Sequence, residues 1–308
     1  MPSFRESLRR KLQRKQFVIT VELDPPKGAD AAAVVAAAKA LRGMADAVNI
    51  ADSPMANLRM SPIALAHIVQ RHVRMETIFH LTCRDRNVTG LQAELLGAAA
   101  LGVRSILALT GDKPERGDHP WATGVFDVDS VGLVRLARSL NRGFDLAGKT
   151  LNRGTDFLIG VAANPAAADL AAEAERLAAK AAAGADFVQT QPIYELARLE
   201  AFLAAIRPVN IPVLAGVLPL KSLKNAQYLH DHVPGINIPA PVMARMRQGG
   251  RTAGIAVARE FIAAARGLVS GIHLMPVNND LALAAAVLAG LRSSPAVAAA
   301  PAVSVSSR

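Results

Sequence analysis

The segment FLIGVAANPAAADLAAEAERLAAKAAAGADFVQT, residues 157–190, decides the fold class. An apolar run at Phe157–Ala162 is followed by an Ala-rich helical segment at Asp169–Ala183, which Gly184 ends. A second apolar run follows at Phe187–Thr190. Short apolar strands that alternate with helices are typical of α/β proteins built around a parallel sheet.

The same alternation continues in both directions along the chain. Eight strand-like runs are found, at Phe17–Leu23, Ala47–Ile50, Glu76–Thr82, Ser105–Thr110, Phe157–Ala162, Phe187–Thr190, Pro212–Gly216 and Gly271–Met275. Each is followed by a helical segment, so the pattern predicts a single-domain (β/α)₈ TIM barrel. A doubly wound open sheet is the alternative, because short apolar runs are easily miscounted. We assign residues 1–16 to a basic amphipathic helix, 17–292 to the barrel and 293–308 to a flexible tail.

Composition narrows the class of protein. The chain has 308 residues, of which 51% are hydrophobic, yet no apolar stretch reaches the roughly 18 residues that suggest a membrane span. The single cysteine, Cys83, excludes an internal disulfide framework and a cysteine-based zinc site. No other pattern suggests a metal site, and no apolar stretch follows the basic N-terminus as in a secretory signal. We therefore expect a cytoplasmic protein without a membrane anchor.

The net charge of +10 raises the question of nucleic-acid binding. The basic residues are mostly scattered, and aromatic residues make up only 4% of the chain, so few side chains could stack on bases. We expect no nucleic-acid partner. The excess positive charge suits a ligand that carries phosphate or carboxylate groups.

One segment matches a phosphate-binding motif. Gly143–Thr150 reads GFDLAGKT and satisfies the pattern of a P-loop. A true P-loop follows a strand and opens a helix, so that the backbone N–H groups meet the phosphate. Here the segment follows a helix and leads to a strand, so we reject nucleotide-triphosphate binding.

Polar residues stand where the strands end. In a barrel these ends converge on one mouth, where catalytic residues lie. Glu22 interrupts the apolar first strand. A carboxyl group buried there without a partner would have a raised pKa, as a general acid needs. A salt bridge to an arginine in the barrel is the alternative, and periodicity alone favours it.

Several segments with distinctive residues follow one another along the chain: VELDPP at Val21–Pro26, HLTCRDRN at His80–Asn87, ALTGDKP at Ala108–Pro114, GVAANP at Gly160–Pro165, KAAAGADFVQTQPIYE at Lys180–Glu195, GVLPLKS at Gly216–Ser222 and INIPAPVMARM at Ile236–Met246. Taken in this order, they resemble the methylenetetrahydrofolate reductase family. The segments VNIADSPMANLRMS and TGVFDVDSVGLVRL are similar to one branch of the family. That branch includes the reductase half of bifunctional homocysteine methyltransferase/methylenetetrahydrofolate reductase proteins.

The resemblance implies a TIM barrel that binds a flavin, usually FAD, and reduces 5,10-methylenetetrahydrofolate to 5-methyltetrahydrofolate with NAD(P)H. Flavin N5 would carry the hydride, and Glu22 would protonate folate N10 to open the ring. Asp112 would stabilise the iminium cation that results. The implied cofactor-binding positions are Asp52, His80, Thr110, Gly111, Asp112, Ala162, Asn164 and Lys180. The implied substrate-binding positions are Gln191, Leu223 and Asn279.

The chain departs from the family pattern at some of these positions. Thr110 stands where many members have arginine, which leaves FAD or FMN open. Asn164, Leu223 and Asn279 stand where tyrosine, an aromatic residue and arginine are common. A related flavin reductase for another one-carbon carrier is therefore an alternative. A subunit that depends on a partner for electrons is another alternative, and a homo-oligomer is also left open.

Overall fold

A computed structural model describes residues 7–233 and 235–291 of the chain. Eight parallel strands form a closed barrel in chain order, with β8 hydrogen-bonded to β1. The strands are β1 Val18–Leu23, β2 Ala47–Ile50, β3 Glu76–Thr82, β4 Ser105–Leu109, β5 Leu158–Ala163, β6 Phe187–Pro192, β7 Val213–Val217 and β8 Gly271–Leu274. The predicted TIM barrel is confirmed, and the open sheet is wrong. The predicted tail and residues 1–6 of the predicted N-terminal helix lie outside the described residues.

The first helix precedes the first strand, and the other helices follow the strands around the barrel. They are α1 Leu8–Gln13, α2 Ala32–Leu41, α3 Pro62–Val73, α4 Val88–Ala100, α5 Ser130–Asn141, α6 Leu170–Ala183, α7 Leu196–Ala205, α8 Leu223–His232, α9 Ala240–Ala265 and α10 Leu281–Leu288. The sequence predicts that the ninth helix starts near Arg251, whereas it begins at Ala240 and bends at Gly250. Two glycines, Gly249 and Gly250, precede Arg251, and the chain is helical on both sides of them.

Alternation along the strands separates the core into an outer and an inner layer. Outward-facing side chains pack under the helices as the main core. Inward-facing side chains at the N-terminal end of the barrel are apolar, and they form a second cluster around Phe187. Further along the strands the interior turns polar, with Thr20, Asn49, His80 and Gln189 all buried. This polar layer lies directly below the mouth.

The helix α1 closes the N-terminal end of the barrel. Its Leu8 and Leu12 are buried in the inner apolar cluster. The backbone N–H of Leu8 donates to the Glu76 carboxylate at 2.7 Å, and Lys11 pairs with Asp46. Within the segment predicted as an amphipathic helix, Leu8–Gln13 is helical and its apolar face covers the barrel floor.

Truncating Leu8 should therefore loosen the barrel floor. We expect Leu8→Ala to lower the free energy of unfolding by about 3 kcal/mol, because the side chain is fully buried and leaves a cavity. Urea denaturation measures the change. Leu101→Ala is the control, since Leu101 is 44% exposed and should cost less than about 1 kcal/mol. Equal losses in both variants would show that α1 does not support the floor.

The segment with the P-loop pattern lies between α5 and β5. Phe144 and Thr150 form an isolated antiparallel bridge there, so the segment is a turn that follows a helix. This is the context that its sequence predicts, and it offers no helix N-terminus to a phosphate. Among the described residues, no helix is long and apolar enough to cross a membrane.

Candidate active site

A cavity of about 240 Å³ opens at the C-terminal ends of the strands. It brings together Glu22, Asp52, His80, Gly111, Asp112, Ala162 and Gln191, all of which were predicted as site residues. Glu22 and Asp112 therefore face one space, although 90 residues separate them in the sequence. The barrel produces this convergence because all its strands are parallel and end on the same side.

Glu22 is not the isolated carboxyl group that the sequence suggests. Its Oε2 lies 3.2 Å from Nε2 of His273 and 3.9 Å from Nε2 of His80. Burial raises the pKa of Glu22, but the hydrogen bond from His273 and the charges of the two histidines outweigh it, so the net pKa is lowered. The expected raised pKa is wrong, and the partners are histidines rather than the arginine considered as the alternative.

The two histidines belong to the buried polar layer below Glu22. Nδ1 of His273 contacts the hydroxyl of Thr20 at 3.0 Å, and Gln189 donates to the same hydroxyl at 3.0 Å. Asn49 bridges Gln189 and Nε2 of His80. Burial lowers the pKa of His80 to about 4, with the neighbouring Glu22 opposing the shift. His80 is therefore neutral at pH 7, and the layer holds Glu22 through the hydrogen bond with His273.

The end of β4 forms the opposite wall of the cavity. Asp112 has a side chain 42% exposed, and its carboxylate lies 3.7 Å from the guanidinium of Arg116. Gly111 has a φ of 95°, and a Cβ there would lie 2.8 Å from Cβ of Thr82. Only glycine fits this backbone conformation and this close approach. Asp112 thus stands in reach of water or ligand.

Some predicted cofactor-binding residues make internal contacts instead. Asp52 accepts hydrogen bonds from the backbone and hydroxyl of Thr82 and a bidentate pair from Arg86. The ammonium group of Lys180 donates to the carbonyl oxygen of Ala162 at 2.7 Å, and Lys180 does not line the cavity. The hydroxyl of Thr110 accepts from the backbone of Ser130. The structure gives these side chains roles in positioning the loops.

Three further predicted positions lie away from the cavity. Asn164 accepts a hydrogen bond from the backbone of Ala166, two residues further along the chain. Leu223 is the first residue of α8 and packs on an apolar cluster of the neighbouring helices. The side-chain amide of Asn279 binds both the N–H and the carbonyl of Asp24, at 2.8 and 3.0 Å. Asn279 therefore fixes the end of β1.

Sequence reasoning missed three residues around the mouth: Asp24, Arg84 and His273. Both Arg84 and His273 line the cavity and are buried. The signal for His273 was available, because a polar residue interrupts the apolar strand β8 at the level where other strands carry polar residues. The position of Arg84 depends on the fold of the loop after β3, which the sequence pattern does not fix.

Asp24 is the next residue on the Glu22 side of β1, because side chains alternate along a strand. Its pKa is raised to about 6, first by burial and then by the charge of Glu22, while Arg59 opposes the shift. The folded protein therefore binds this proton more tightly than the unfolded chain does. The stability that results is fully present below about pH 4 and is lost as the pH rises through 6.

Replacing Asp24 with asparagine removes this titration and keeps the backbone contacts with Asn279. We expect Asp24→Asn to be more stable than the wild type by on the order of 2 kcal/mol at pH 8, because the buried charge is gone. The difference should shrink towards zero near pH 4. Urea denaturation at several pH values measures it, and a difference that does not change with pH would refute the assigned titration.

Asp118 connects three loops at the rim of the mouth. Its carboxylate accepts hydrogen bonds from the ammonium group of Lys27 at 2.7 Å and the backbone of Leu58 at 3.0 Å. The preceding residue, Gly117, packs so closely against the carbonyl of Ala56 that a Cβ would not fit. These contacts hold the loop after β2, in which Ser53, Met55 and Ala56 all have positive φ, and which supplies Pro54 and Met55 to the cavity wall.

The family model described as methylenetetrahydrofolate reductase matches residues 7–290 of the chain. The chain is 30% identical over 203 residues to methylenetetrahydrofolate reductase 2 of Schizosaccharomyces pombe, which covers 60% of the chain and 29% of the relative. It is 32% identical over 152 residues to the probable methylenetetrahydrofolate reductase (NADPH) of Caenorhabditis elegans, with 47% and 21% covered. The match thus spans less than a third of these relatives.

A solved structure shares the fold. It is an uncharacterized protein from Clostridium thermocellum that binds two copies of 5-methyl-5,6,7,8-tetrahydrofolic acid. The two structures align with a TM-score of 0.63 and 15% identity, covering 91% of this chain and 95% of that one. The family match extends over almost the whole barrel, including the strand ends that form the cavity. The chain belongs to the methylenetetrahydrofolate reductase family.

Proposed function

We propose that the barrel mouth reduces 5,10-methylenetetrahydrofolate to 5-methyltetrahydrofolate, with NAD(P)H as the source of electrons. The observation that carries this proposal is the convergence of Glu22, Asp112 and Gln191 on one cavity. The family to which the chain belongs is described by this reaction, and homologues over half of the chain carry the same name. The reaction requires a carboxyl group that can donate a proton and a carboxylate that can stabilise a cation, and Glu22 and Asp112 offer these groups to the cavity.

The reaction begins with opening of the five-membered ring, which needs a proton on N10 of the folate. Glu22 is the donor, and it must first take up a proton, because its pKa is lowered in the open cavity. Burial already raises the pKa of this carboxyl group more than any other single effect. A bound ring that displaces water from the cavity strengthens that effect and favours the protonated acid.

Asp112 and Gln191 act on the opened substrate. The iminium cation at N5 is stabilised by a nearby negative charge, and the carboxylate of Asp112 supplies one at the cavity wall. Gln191 is exposed at the end of β6, so its amide is available to donate and accept hydrogen bonds along a pterin edge. Hydride addition to the iminium carbon then gives the methyl product.

A flavin bound here would supply the hydride carrier between NAD(P)H and the folate. The cavity of about 240 Å³ lies just below the ~300–1,000 Å³ found for ligand pockets, so it suits one ring system. His80, Gly111 and Gln191 would face such a ring. The phosphate groups fit less well, because Lys180, the one lysine or arginine among the implied cofactor-binding positions, donates to the carbonyl oxygen of Ala162. We therefore assign the ring to the mouth and assign no phosphate contacts.

The alternative of a different one-carbon carrier gains no support from the geometry. It was motivated by the departures at Asn164, Leu223 and Asn279, and none of these residues lines the cavity. Asn164 and Asn279 make local backbone contacts instead. The substitutions therefore alter the surrounding loops, and they do not change the residues that face the ligand.

The experiment is a spectral titration of the purified protein, before and after incubation with FAD or FMN. We expect flavin absorbance that NADH or NADPH bleaches and that 5,10-methylenetetrahydrofolate restores, with formation of 5-methyltetrahydrofolate. Formation of the methyl product from NAD(P)H without any bound flavin would refute the flavin cofactor, but it would support the proposed reductase activity. No methyl product under either condition would refute the proposed function itself.

A further inference from the structure

Arg84 is a buried cation in the wall of the cavity, and some of its N–H groups have no acceptor within residues 7–233 and 235–291. The residue lines the cavity, and its side chain is only 3% exposed. Nε and Nη2 donate to the two carboxylate oxygens of Asp85 at 2.9 and 2.8 Å, and Nη1 donates to the carbonyl of Ser53 at 3.3 Å. A guanidinium carries five N–H groups, so these three contacts leave two without a protein acceptor among the described residues. A buried N–H group without an acceptor is costly.

Arg84 is the one permanent cation in the part of the cavity wall that the structure describes. Among the described residues that line the cavity, Arg84 is the only arginine or lysine. It stands beside the end of β4, where a Cβ on Gly111 would lie 3.3 Å from its own Cβ. The adjacent Thr110 brings no charge to this wall. The paired contact with Asp85 holds the guanidinium plane in one orientation, so little freedom is lost when a ligand binds.

We propose that Arg84 binds a carbonyl oxygen of the heteroaromatic ring that occupies the mouth. This inference rests on the proposed function and deepens it by naming the residue that orients the ring. Flavin, pterin and nicotinamide all carry an oxygen on or beside the ring, and all are neutral or electron-rich at that edge. A planar pair of N–H groups recognises such an oxygen with a defined angle, which the point charge of a lysine does not provide.

The test compares direct binding of three probes to the wild type, Arg84→Lys and Arg245→Lys. The probes are 5-methyltetrahydrofolate, FMN and NADH, each titrated by calorimetry, so that no turnover is needed. We expect Arg84→Lys to weaken at least one probe roughly tenfold or more, as the loss of a charged hydrogen bond predicts. The probe that is affected identifies the ring. Arg245 also forms a bidentate pair, with Glu260, but does not line the cavity, so its variant should bind like the wild type.

A second variant keeps the inference testable if Arg84→Lys does not fold. Asp85 is 47% exposed, and Asp85→Ala releases the guanidinium without removing it, so the same probe should bind more weakly by a few fold. Unchanged affinity for all three probes in the folded variants would overturn the role of Arg84 alone. A wild-type protein that binds none of the probes would overturn both this inference and the proposed function.

Discussion

Glu22→Gln should lower the rate of folate reduction by about 10³-fold, within the range that general acids contribute, while the protein remains folded. Glutamine has the same shape as glutamate and can still accept the hydrogen bond from His273, but it has no proton to give to N10. Oxidation of NAD(P)H by an artificial electron acceptor needs no ring opening. That rate should therefore change little.

The two half-reactions measured by stopped flow separate these outcomes. The control is Glu260→Gln, because Glu260 is an exposed glutamate on α9 that pairs with Arg245 far from the cavity lining. Equal loss of both half-reactions in Glu22→Gln would point to a damaged site rather than a missing proton. Normal folate reduction in that variant would remove Glu22 from its role as the acid.

The dependence of folate reduction on pH should also show that Glu22 donates the proton. Glu22 is ionised at neutral pH, because the hydrogen bond from His273 keeps its pKa lowered despite burial. The protonated acid is therefore the minor form before the substrate binds, and kcat/KM for folate reduction should rise as the pH falls towards the pKa of Glu22. This connects the buried polar layer to the chemistry, since the layer sets how readily Glu22 accepts a proton.

The sequence predicts the barrel and its mouth because both follow from local patterns. Alternating strands and helices give the topology, and parallel strands place their ends together, so Glu22 and Asp112 converge without further information. The partners of Glu22 were not predicted. His273 lies 251 positions away, and its contact arises only when β8 closes on β1.

The missed and misplaced residues share one physical cause. Arg84 and Lys180 are charged side chains that donate to backbone carbonyl groups of other segments, and Arg84 also pairs with Asp85. The carbonyl of Ala162 holds Lys180, and the carbonyl of Ser53 holds Arg84. Such acceptors are present at every residue, so no pattern of residue types marks them in advance. A family resemblance assigns a role to a position, but it does not show whether the side chain there already has a hydrogen-bond partner within the protein.

The backbone that carries Gln191 depends on a glycine in the next strand. The pairing of β6 with β7 is irregular between Gln189 and Pro192, and the N–H of Gly216 donates to the hydroxyl of Thr190 at 2.8 Å. A Cβ on Gly216 would lie 2.6 Å from the carbonyl oxygen of Gln191 and closer still to that of Thr190. These neighbours are backbone atoms within a closed barrel, so they cannot move aside as a flexible side chain would.

Gly216→Ala should therefore lower the free energy of unfolding by about 3 kcal/mol and weaken folate binding through the displaced Gln191. Urea denaturation and titration with 5-methyltetrahydrofolate measure the two effects. Gly97→Ala is the matched control, because Gly97 lies in α4, has no atom within 4 Å of an added Cβ and should gain up to about 1 kcal/mol in helix stability. If Gly216→Ala and the wild type have the same urea midpoint of unfolding, the end of β6 can shift to make room for the added methyl group. The glycine would then not be what fixes Gln191 at the mouth.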